Sequence, residues 1–438
     1  MMSVPRKVVA DLTTLVRDRL SAEAQDRSSD EKPKMTAAER KALAMDVLKS
    51  ELKRIDTQQI QRSGRRLDRG EEQTVIAEVM AETTGLGQIE LLLADPTVED
   101  IHFTRFDLGF TEHTDGSSRR VDGVRWASDA ALREWIAFVA NTKGGTGRSF
   151  NAQQPILVLQ LGDGLRLAAT CEVSEHTSFS LRRNTLGAVT LDDLQRLGMF
   201  PVEVADLLRA LTLAPEMRVV IVGATGAGKT TLLRAMLAEL DPMTRVGIVE
   251  DTREVGFFDE QTHPNVEQWE TREANLQGEG RISMDRLVEQ LFRYRVEKLI
   301  VGEVRSADAA APMIHAMNNG RSSITTTHSY DARSGLEKLA QMTAQGTTET
   351  RGMELLNAKE TVASAVDIAI HVDRGEGGRR YVSEIAEVSG FEGGQFLTQS
   401  IYTSDWTGQR SKLARIQSPR IERKLRRGGY HGAKVGRP

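Results

Sequence analysis

The sequence Gly223-Ala224-Thr225-Gly226-Ala227-Gly228-Lys229-Thr230 lies directly between the apolar run 219–222 and the helix-forming run 231–236. Gly223 and Gly228 allow the backbone to turn tightly and to aim its N–H groups at phosphate oxygens. The helix that follows adds the positive end of its dipole. The order of strand, loop and helix therefore predicts a phosphate-binding loop. The alternative is an ordinary glycine turn between a buried strand and a helix.

The same loop predicts roles for individual side chains. Lys229 is long enough to reach the β- and γ-phosphates of a nucleotide, and the Thr230 hydroxyl is a ligand for Mg²⁺. We predict that the nucleotide is bound by Gly223, Ala224, Thr225, Gly226, Ala227, Gly228, Lys229, Thr230 and Thr231.

Composition restricts the class of protein. A chain of 438 residues is long enough for two or three domains. The net charge of −4 argues against a chain that binds nucleic acid by overall charge. The single Cys171 excludes a disulfide framework and a four-cysteine zinc module, so no structural zinc is expected. No apolar run reaches the ~18 residues of a membrane span, and no signal-peptide core follows the first residues. We therefore expect a cytoplasmic protein.

The first half of the chain divides by composition. Residues 1–70 are polar and free of aromatic side chains, which predicts a loosely attached helical extension that is partly disordered. Residues 71–185 combine helical patterning with short strands, at 99–104 and 164–169, and with a helix at 129–141. They predict a smaller α+β domain. Residues 186–214 are interpreted as a linker with one amphipathic helix.

The second half alternates apolar runs with helical patterns. Runs at 219–222, 246–249, 298–301 and 323–327 predict a parallel sheet covered by helices on both faces, within a domain at 215–400. Segments 367–372 and 381–385 predict a hairpin. Residues 401–438 are interpreted as a basic tail, since 410–438 contain ten Lys or Arg against one acid, Glu422. A solvated tail is the simpler interpretation, and contact with acidic lipid or nucleic acid is the alternative.

Polar side chains follow three of the predicted strands. Glu250, Glu303 and His328 each lie at or just after a strand end. Because parallel sheets present ligands at the carboxyl ends of their strands, these side chains are expected to converge on the glycine loop. Taken singly, each has another explanation, namely a surface acid or a structural histidine.

Taken together, these segments resemble the secretion ATPases of type II and type IV systems. The glycine loop, Ile248–Glu254 with Glu270-Thr271-Arg272, Leu299–Arg305 and Thr325–Ser329 resemble that family's Walker A, Asp box, Walker B and His box. The resemblance covers roughly residues 71–390. It is closest to the branch that serves Tad (Flp) pili and conjugative transfer.

This resemblance implies a fold and an activity. The fold would be α/β, a RecA-like P-loop ATPase domain with a parallel sheet, preceded by a smaller α+β N-terminal domain. The activity would be Mg²⁺-dependent ATP hydrolysis by a homo-hexamer, which is cytoplasmic and peripheral to the inner face of the cell membrane. Its partner would be the inner-membrane platform protein of a pilus or secretion system.

The resemblance also implies catalytic roles. Gly302 stands where a generic P-loop ATPase has an Asp for Mg²⁺, and the family compensates with the Asp-box acid, Glu250. Glu250 and Glu303 are both candidates for the Mg²⁺ site, direct or through water, and for orienting the attacking water. His328 would contact the γ-phosphate beside Lys229. Spread-out negative charge in the transition state also calls for an arginine finger. Its candidates are Arg272, Arg293, Arg295, Arg182 and Arg183.

Other functions remain open from the sequence. The first alternative is a RecA-like motor that acts on DNA in conjugation, unwinding or packaging, which only the basic tail favours. Aromatic residues make up 5% of the chain, and no basic groove interleaved with aromatic residues is visible, which weighs against single-strand binding. A second alternative is a nucleotide-gated scaffold that hydrolyses little.

Overall fold

The computed structural model describes residues 6–29, 35, 37–63, 69–143, 150–161, 164–183, 189–256, 259, 261–272, 280–346, 353–408 and 411–430. These residues fall into two compact units, Met1–Arg183 and Asn184–Pro438. Each unit has hydrophobic cores of its own, so each is described by itself.

The first unit begins with three helices and continues with an antiparallel sheet. Its helices are α1 Arg6–Ser29, α2 Ala37–Ser63, α3 Arg69–Thr84, α4 Ile89–Leu93 and α5 Asp129–Lys143. Its strands are β1 Val98–Arg105, β2 Leu108–His113, β3 Ser118–Arg120, β4 Ile156–Gln160, β5 Leu165–Thr170 and β6 Ser178–Arg183. Within the described part, these strands form one sheet in the order β3-β2-β1-β6-β5-β4. The α5 side chains Leu132 and Ile136 share a core with Ile101 of β1 and Leu167 of β5. The predicted strands at 99–104 and 164–169 and the predicted helix at 129–141 are confirmed.

The interpretation of residues 1–70 as a loose extension needs correction. Leu12 and Val16 of α1 and Leu48 of α2 are buried against Val75 and Val79 of α3. Few apolar residues occur in α1 and α2, but their helical spacing puts them on the faces that meet. Residues 1–5, 30–34, 36 and 64–68 lie outside the described residues, so disorder there stays a prediction.

The second unit is built on a mixed sheet. Its helices are α6 Leu191–Arg196, α7 Val202–Leu213, α8 Lys229–Leu237, α9 Met284–Leu291, α10 Ala307–Asn318, α11 Ala332–Gln345, α12 Leu355–Ala365 and α13 Pro419–Arg427, with 3-10 turns at Phe292–Tyr294 and Glu376–Gly378. Its strands are β7 Arg218–Val222, β8 Val246–Glu250, β9 Val266–Glu270, β10 Lys298–Val301, β11 Ser322–Thr327, β12 Ile368–Arg374, β13 Arg380–Glu392, β14 Gln395–Thr403 and β15 Lys412–Leu413.

Sheet topology positions the glycine loop near the middle of this unit. Over the described residues, the strand order is β15-β14-β13-β12-β7-β11-β10-β8-β9. The run from β12 to β9 is parallel, whereas β13, β14 and β15 add on antiparallel. The prediction of a parallel sheet is thus confirmed for the part that contains the predicted strands, and so is the β12–β13 hairpin. The antiparallel extension was not predicted.

Helices cover both faces of the sheet, as the unbroken apolar strands predict. Val219 and Ile221 of β7 pack with α7 and α8 on one face, and Val220 and Val222 pack with α10 and α11 on the other. The alternation follows from the two-residue period of a strand. It makes β7 fully buried, so the loop that follows β7 starts from a rigid base.

Two boundaries of the second unit also need correction. The predicted linker 186–214 contains the predicted amphipathic helix, α7, and also α6, and their side chains Leu191, Leu207 and Leu208 are buried in the core rather than lying in a linker. The predicted basic tail 401–438 contains α13, which is anchored by the buried Ile421 and Leu425. Residues 184–188 and 431–438 lie outside the described residues, so the predictions for them stand untested.

Candidate functional site

The glycine loop occupies the carboxyl end of β7 and the amino end of α8. Gly226 and Gly228 have φ of +74° and +100°, a region that favours glycine. A Cβ at Gly223 would lie 2.2 Å from the Val372 carbonyl oxygen, so only glycine fits there. The helix begins at Lys229, and the loop therefore has the geometry of an anion site at a helix N-terminus.

Lys229 is folded back onto the loop. Its Nζ donates hydrogen bonds to the carbonyl oxygens of Gly223 and Ala224, at 3.0 Å each. The same nitrogen lies 3.0 Å from Nδ1 of His328. Burial lowers the pKa of Lys229 to about 8, although Glu303 opposes that shift. A phosphate group would replace weak carbonyl partners with charged oxygens.

His328 connects Lys229 to Glu303. Burial lowers the pKa of His328, which favours the neutral ring, and Nδ1 can then accept from the Lys229 ammonium. On the other side of the ring, Nε2 lies 2.6 Å from Oε1 of Glu303. Lys229, His328 and Glu303, which were predicted to converge, thus lie in one continuous row of contacts.

The two oxygens of Glu303 are used differently. Oε2 accepts a hydrogen bond from Nε of Arg305 at 2.6 Å. Oε1 is buried and accepts no regular hydrogen bond within the described residues, although Nε2 of His328 lies 2.6 Å from it. A buried carboxylate oxygen without a donor has capacity for a bound water. Arg305 was not among the predicted site residues, although it stands in the quoted segment 299–305.

Glu250 has a different environment. Its Oε1 accepts from the backbone N–H groups of Glu254 and Val255, at 2.9 Å each, and its Oε2 accepts from Nε2 of Gln268 at 2.9 Å. The residue is 3% exposed, and burial raises the pKa of its carboxyl group. Glu250 therefore holds the turn that follows β8, and its oxygens are less available to water than Oε1 of Glu303.

Gly302 makes room for Glu250. A Cβ at position 302 would lie 2.7 Å from Cγ and 2.9 Å from Oε1 of Glu250. An aspartate there would also bring a second negative charge against a buried carboxyl group. The two positions therefore depend on each other, because the absence of a side chain at Gly302 leaves the space that the Glu250 side chain fills.

We expect Gly302→Ala to destabilise the second unit by about 1–3 kcal/mol, the usual cost of overpacking a filled core. Thermal unfolding of the full chain measures the effect. Glu250→Ala removes the atoms that would clash, so the double variant should lose less than the sum of the two single losses. Strictly additive losses would show that the two positions do not interact.

A cavity lies between these acids and the loop. It is lined by Thr230, Glu250, Asp251, Thr252, Glu254, Gly302, Glu303 and Arg305. Hydroxyl and carboxylate oxygens are the donors that Mg²⁺ prefers, and Mg²⁺ usually keeps several waters. Across the described residues, no group of three or more His, Cys, Asp or Glu forms a ready metal cage. The donor set therefore fits Mg²⁺ held by Thr230 and few carboxylates, with water completing the shell.

The arginine candidates of the second unit differ in their contacts. Arg272 donates to the Gly280 carbonyl at 2.7 Å, and Arg293 donates to Oε1 of Gln290 at 3.1 Å. Arg295 is exposed and makes no hydrogen bond or ion pair with the described residues. Its φ of +54° is rare for a residue with a side chain, and such backbone is enriched at functional sites. Of the three candidates in the second unit, Arg295 is therefore the one whose side chain is not held by contacts with the described residues.

The other two candidates, Arg182 and Arg183, lie in the first unit at the end of β6. Arg182 is paired with Asp100, with Nε 2.9 Å from Oδ1. Arg183 donates to the backbone carbonyls of Asp95, at 3.0 Å, and of Leu93. Both therefore have structural partners within their own unit.

Comparison with known proteins agrees with the resemblance seen in the sequence. Residues 159–374 match the model of a family described as type II/IV secretion system protein. A Mycobacterium tuberculosis (strain H37Rv) protein, assigned by its name to conjugal transfer, is 31% identical over 323 residues. That alignment covers 72% of this chain and 88% of the relative. The conjugal transfer protein TrbB of Rhizobium radiobacter is 31% identical over 226 residues, which cover 51% of this chain and 64% of TrbB. The solved structure of the Legionella pneumophila ATPase DotB aligns at 19% identity with a TM-score of 0.47, over 68% of this chain and 80% of DotB.

Proposed function

Since this chain belongs to the type II/IV secretion system protein family, we propose that it is an ATPase that powers a pilus or secretion machine. The observation that carries the proposal is the row of contacts from Lys229 through His328 to Glu303, beside the glycine loop. The proposed substrate is ATP with Mg²⁺, and the proposed fold of the domain is RecA-like.

The proposed reaction uses each side chain for one task. The loop N–H groups and Lys229 bind the β- and γ-phosphates. Oε1 of Glu303 accepts a hydrogen bond from the attacking water and aligns it with the bond between the γ-phosphorus and the bridging oxygen. Arg305 holds the other Glu303 oxygen, and His328 joins the γ-phosphate end to Glu303. Bound Mg²⁺ neutralises charge on the phosphates.

We further propose a homo-hexamer that is peripheral to the inner face of the cell membrane and acts on an inner-membrane platform protein. Two relatives are named for conjugal transfer, which supports the conjugative branch beside Tad-like pilus assembly. In the described part of the chain, no helix is both long and apolar enough to cross a bilayer. Contact with the membrane would therefore be made through a partner or a surface.

The basic segment 410–438, which suggested contact with DNA or lipid, includes side chains that form ion pairs within the second unit. Lys424 and Arg420 of α13 form ion pairs with the buried Asp367, at 2.8 and 2.9 Å, and Asp367 also pairs with Arg218 of β7. Part of the positive charge thus anchors the helix. A DNA-acting motor remains the alternative function, and a rise in ATP turnover on adding single- or double-stranded DNA would favour it. Unmeasurable turnover in the assembled ring would favour a nucleotide-gated scaffold.

We expect hydrolysis to depend on assembly, because Arg305 is the one arginine among the described residues that lines the cavity, and its guanidinium is already paired with Glu303. Specific activity should rise steeply with protein concentration, and ATP with Mg²⁺ should favour the larger species. Arg295→Ala should lower turnover at least tenfold while ATP binding is retained. The matched control is Arg286→Ala, at an exposed arginine of α9 that is not a candidate. Arg293→Ala, at the competing candidate whose side chain contacts Gln290 three residues earlier in the chain, should retain turnover.

Mixing experiments test whether the arginine acts between subunits. Inactive Lys229→Ala subunits mixed with Arg295→Ala subunits should recover some turnover, since each provides the half-site that the other lacks. Turnover and sedimentation are measured on the same samples. A monomer as active per subunit as the oligomer would contradict the assembly proposal.

A further inference from the structure

The start of β13 lies against the glycine loop. Nε of Arg380 donates a hydrogen bond to the carbonyl oxygen of Gly226 at 3.0 Å. A Cβ at Gly228 would lie 3.2 Å from Cδ of Arg380. One side chain, more than 150 positions downstream in the sequence, therefore touches the loop at two of its three glycines.

Neighbouring contacts hold this arginine in place. Arg379 donates to the carbonyl oxygen of Gly198 at 3.0 Å, and the N–H of Val382 donates to the carbonyl oxygen of Met199 at 2.9 Å. Met199 itself packs close to Gly228, with its Cε 3.8 Å from where a Cβ would stand. The turn after α6 and the start of β13 thus form one wall beside the loop.

Most N–H donors of the Arg380 guanidinium are not used within the described residues. Arginine carries five N–H donors, and the bond to Gly226 uses the one at Nε. Among the described residues, its terminal N–H groups have no hydrogen bond or ion pair, and the side chain is exposed. A permanent positive charge with free donors, fixed to a phosphate-binding loop, is suited to phosphate oxygens.

We propose that Arg380 is a second phosphate-binding residue of this site, acting beside Lys229 on a nucleoside di- or triphosphate in the same subunit. The inference rests on the proposed function, because it assumes that the loop binds a nucleotide. It adds a cation that the sequence motifs do not contain, since Arg380 lies outside every motif segment.

The competing explanation is that Arg380 only fixes the loop through Gly226. Two substitutions separate the explanations. In Arg380→Gln, the amide nitrogen is bonded to Cδ, as Nε is in arginine, so the donor to Gly226 is kept and the charge is lost. Arg380→Lys keeps a charge and lacks the donor at that position.

The experiment measures binding of ATP, ADP and AMP to the full chain by calorimetry. Arg380→Gln should lower ATP affinity about tenfold, lower AMP affinity much less, and show a smaller loss at high salt. Arg380→Lys should stay within about threefold of the unsubstituted chain, because the lysine ammonium also binds phosphate as a point charge. Arg374→Gln, in an exposed arginine on the same hairpin, should leave all three affinities unchanged.

The possible results have distinct meanings. If Arg380→Gln binds ATP normally while Arg380→Lys and Arg380→Ala are weakened alike, Arg380 only fixes the loop and the inference is wrong. If the unsubstituted chain binds no nucleotide, the proposed function fails first. Thermal unfolding of each variant verifies that the second unit is folded during the measurement.

Discussion

Lys229→Ala should abolish ATP hydrolysis and weaken nucleotide binding by about a hundredfold or more. Lys229 supplies the loop's own cation for the β- and γ-phosphates, and a buried charge-assisted contact of this kind has no replacement in alanine. Turnover by phosphate release and affinity by calorimetry, both on the full chain, measure the two effects.

The control for Lys229→Ala is Lys412→Ala, in an exposed lysine of β15, which should behave as the unsubstituted chain. Lys229→Arg provides a second comparison, since it keeps the charge with a different shape. Near-normal turnover in Lys229→Ala would show that the loop is not the nucleotide site. Thermal unfolding separates that outcome from a failure to fold.

The Lys229 site also predicts a pH dependence. Burial lowers the pKa of the Lys229 ammonium to about 8 in the nucleotide-free chain. Phosphate binds the charged form, so affinity should be greatest below pH 8 and should fall as the pH rises above it. Lys229→Ala should lack this fall, and the comparison of the two titrations assigns it to Lys229.

The glycine loop and its strands could be predicted because their signals are local. The spacing of glycines before Lys229 and the β-branched run 219–222 each constrain the backbone within a few residues. The strand ends that bear Glu303 and His328 followed from one further rule, that parallel strands present ligands at their carboxyl ends. Nothing beyond that rule was needed to bring them to the loop.

Contacts between distant segments could not be predicted in the same way. Arg380 has no neighbouring pattern that marks it as part of the loop, and its contact with Gly226 exists only after β12 has paired with β7. Residues 410–438, which contain α13, are interpreted from the sequence as a solvated tail because charged residues outnumber the two anchors of that helix, Ile421 and Leu425. Average composition conceals a short helix that buries one narrow face.

Glu303→Gln should leave ATP binding intact and lower kcat by about a hundredfold or more, in the range that general-base and water-orienting groups contribute. The glutamine keeps the size of the side chain and can still accept from Arg305. It lacks the negative charge that aligns a water at Oε1, the oxygen that accepts no hydrogen bond from the described residues. Glu360→Gln, on the exposed side of α12, is the matched control.

The variant Glu250→Gln tests whether Glu250 and Glu303 have different roles in Mg²⁺ binding and in orienting the attacking water. Its carboxylate is already occupied by Glu254, Val255 and Gln268, and an amide can keep these partners if Gln268 reverses its own amide. The substitution keeps these contacts but removes the carboxylate from the lining of the cavity, so Glu250→Gln should raise the Mg²⁺ concentration that activity requires. When Mg²⁺ is saturating, Glu250→Gln should lower kcat less than Glu303→Gln does. An equal loss in both variants at saturating Mg²⁺ would mean that Glu250 also acts on the water. A normal rate in Glu303→Gln would show that Glu303 does not orient the attacking water. Its role would then be to position His328 and Arg305.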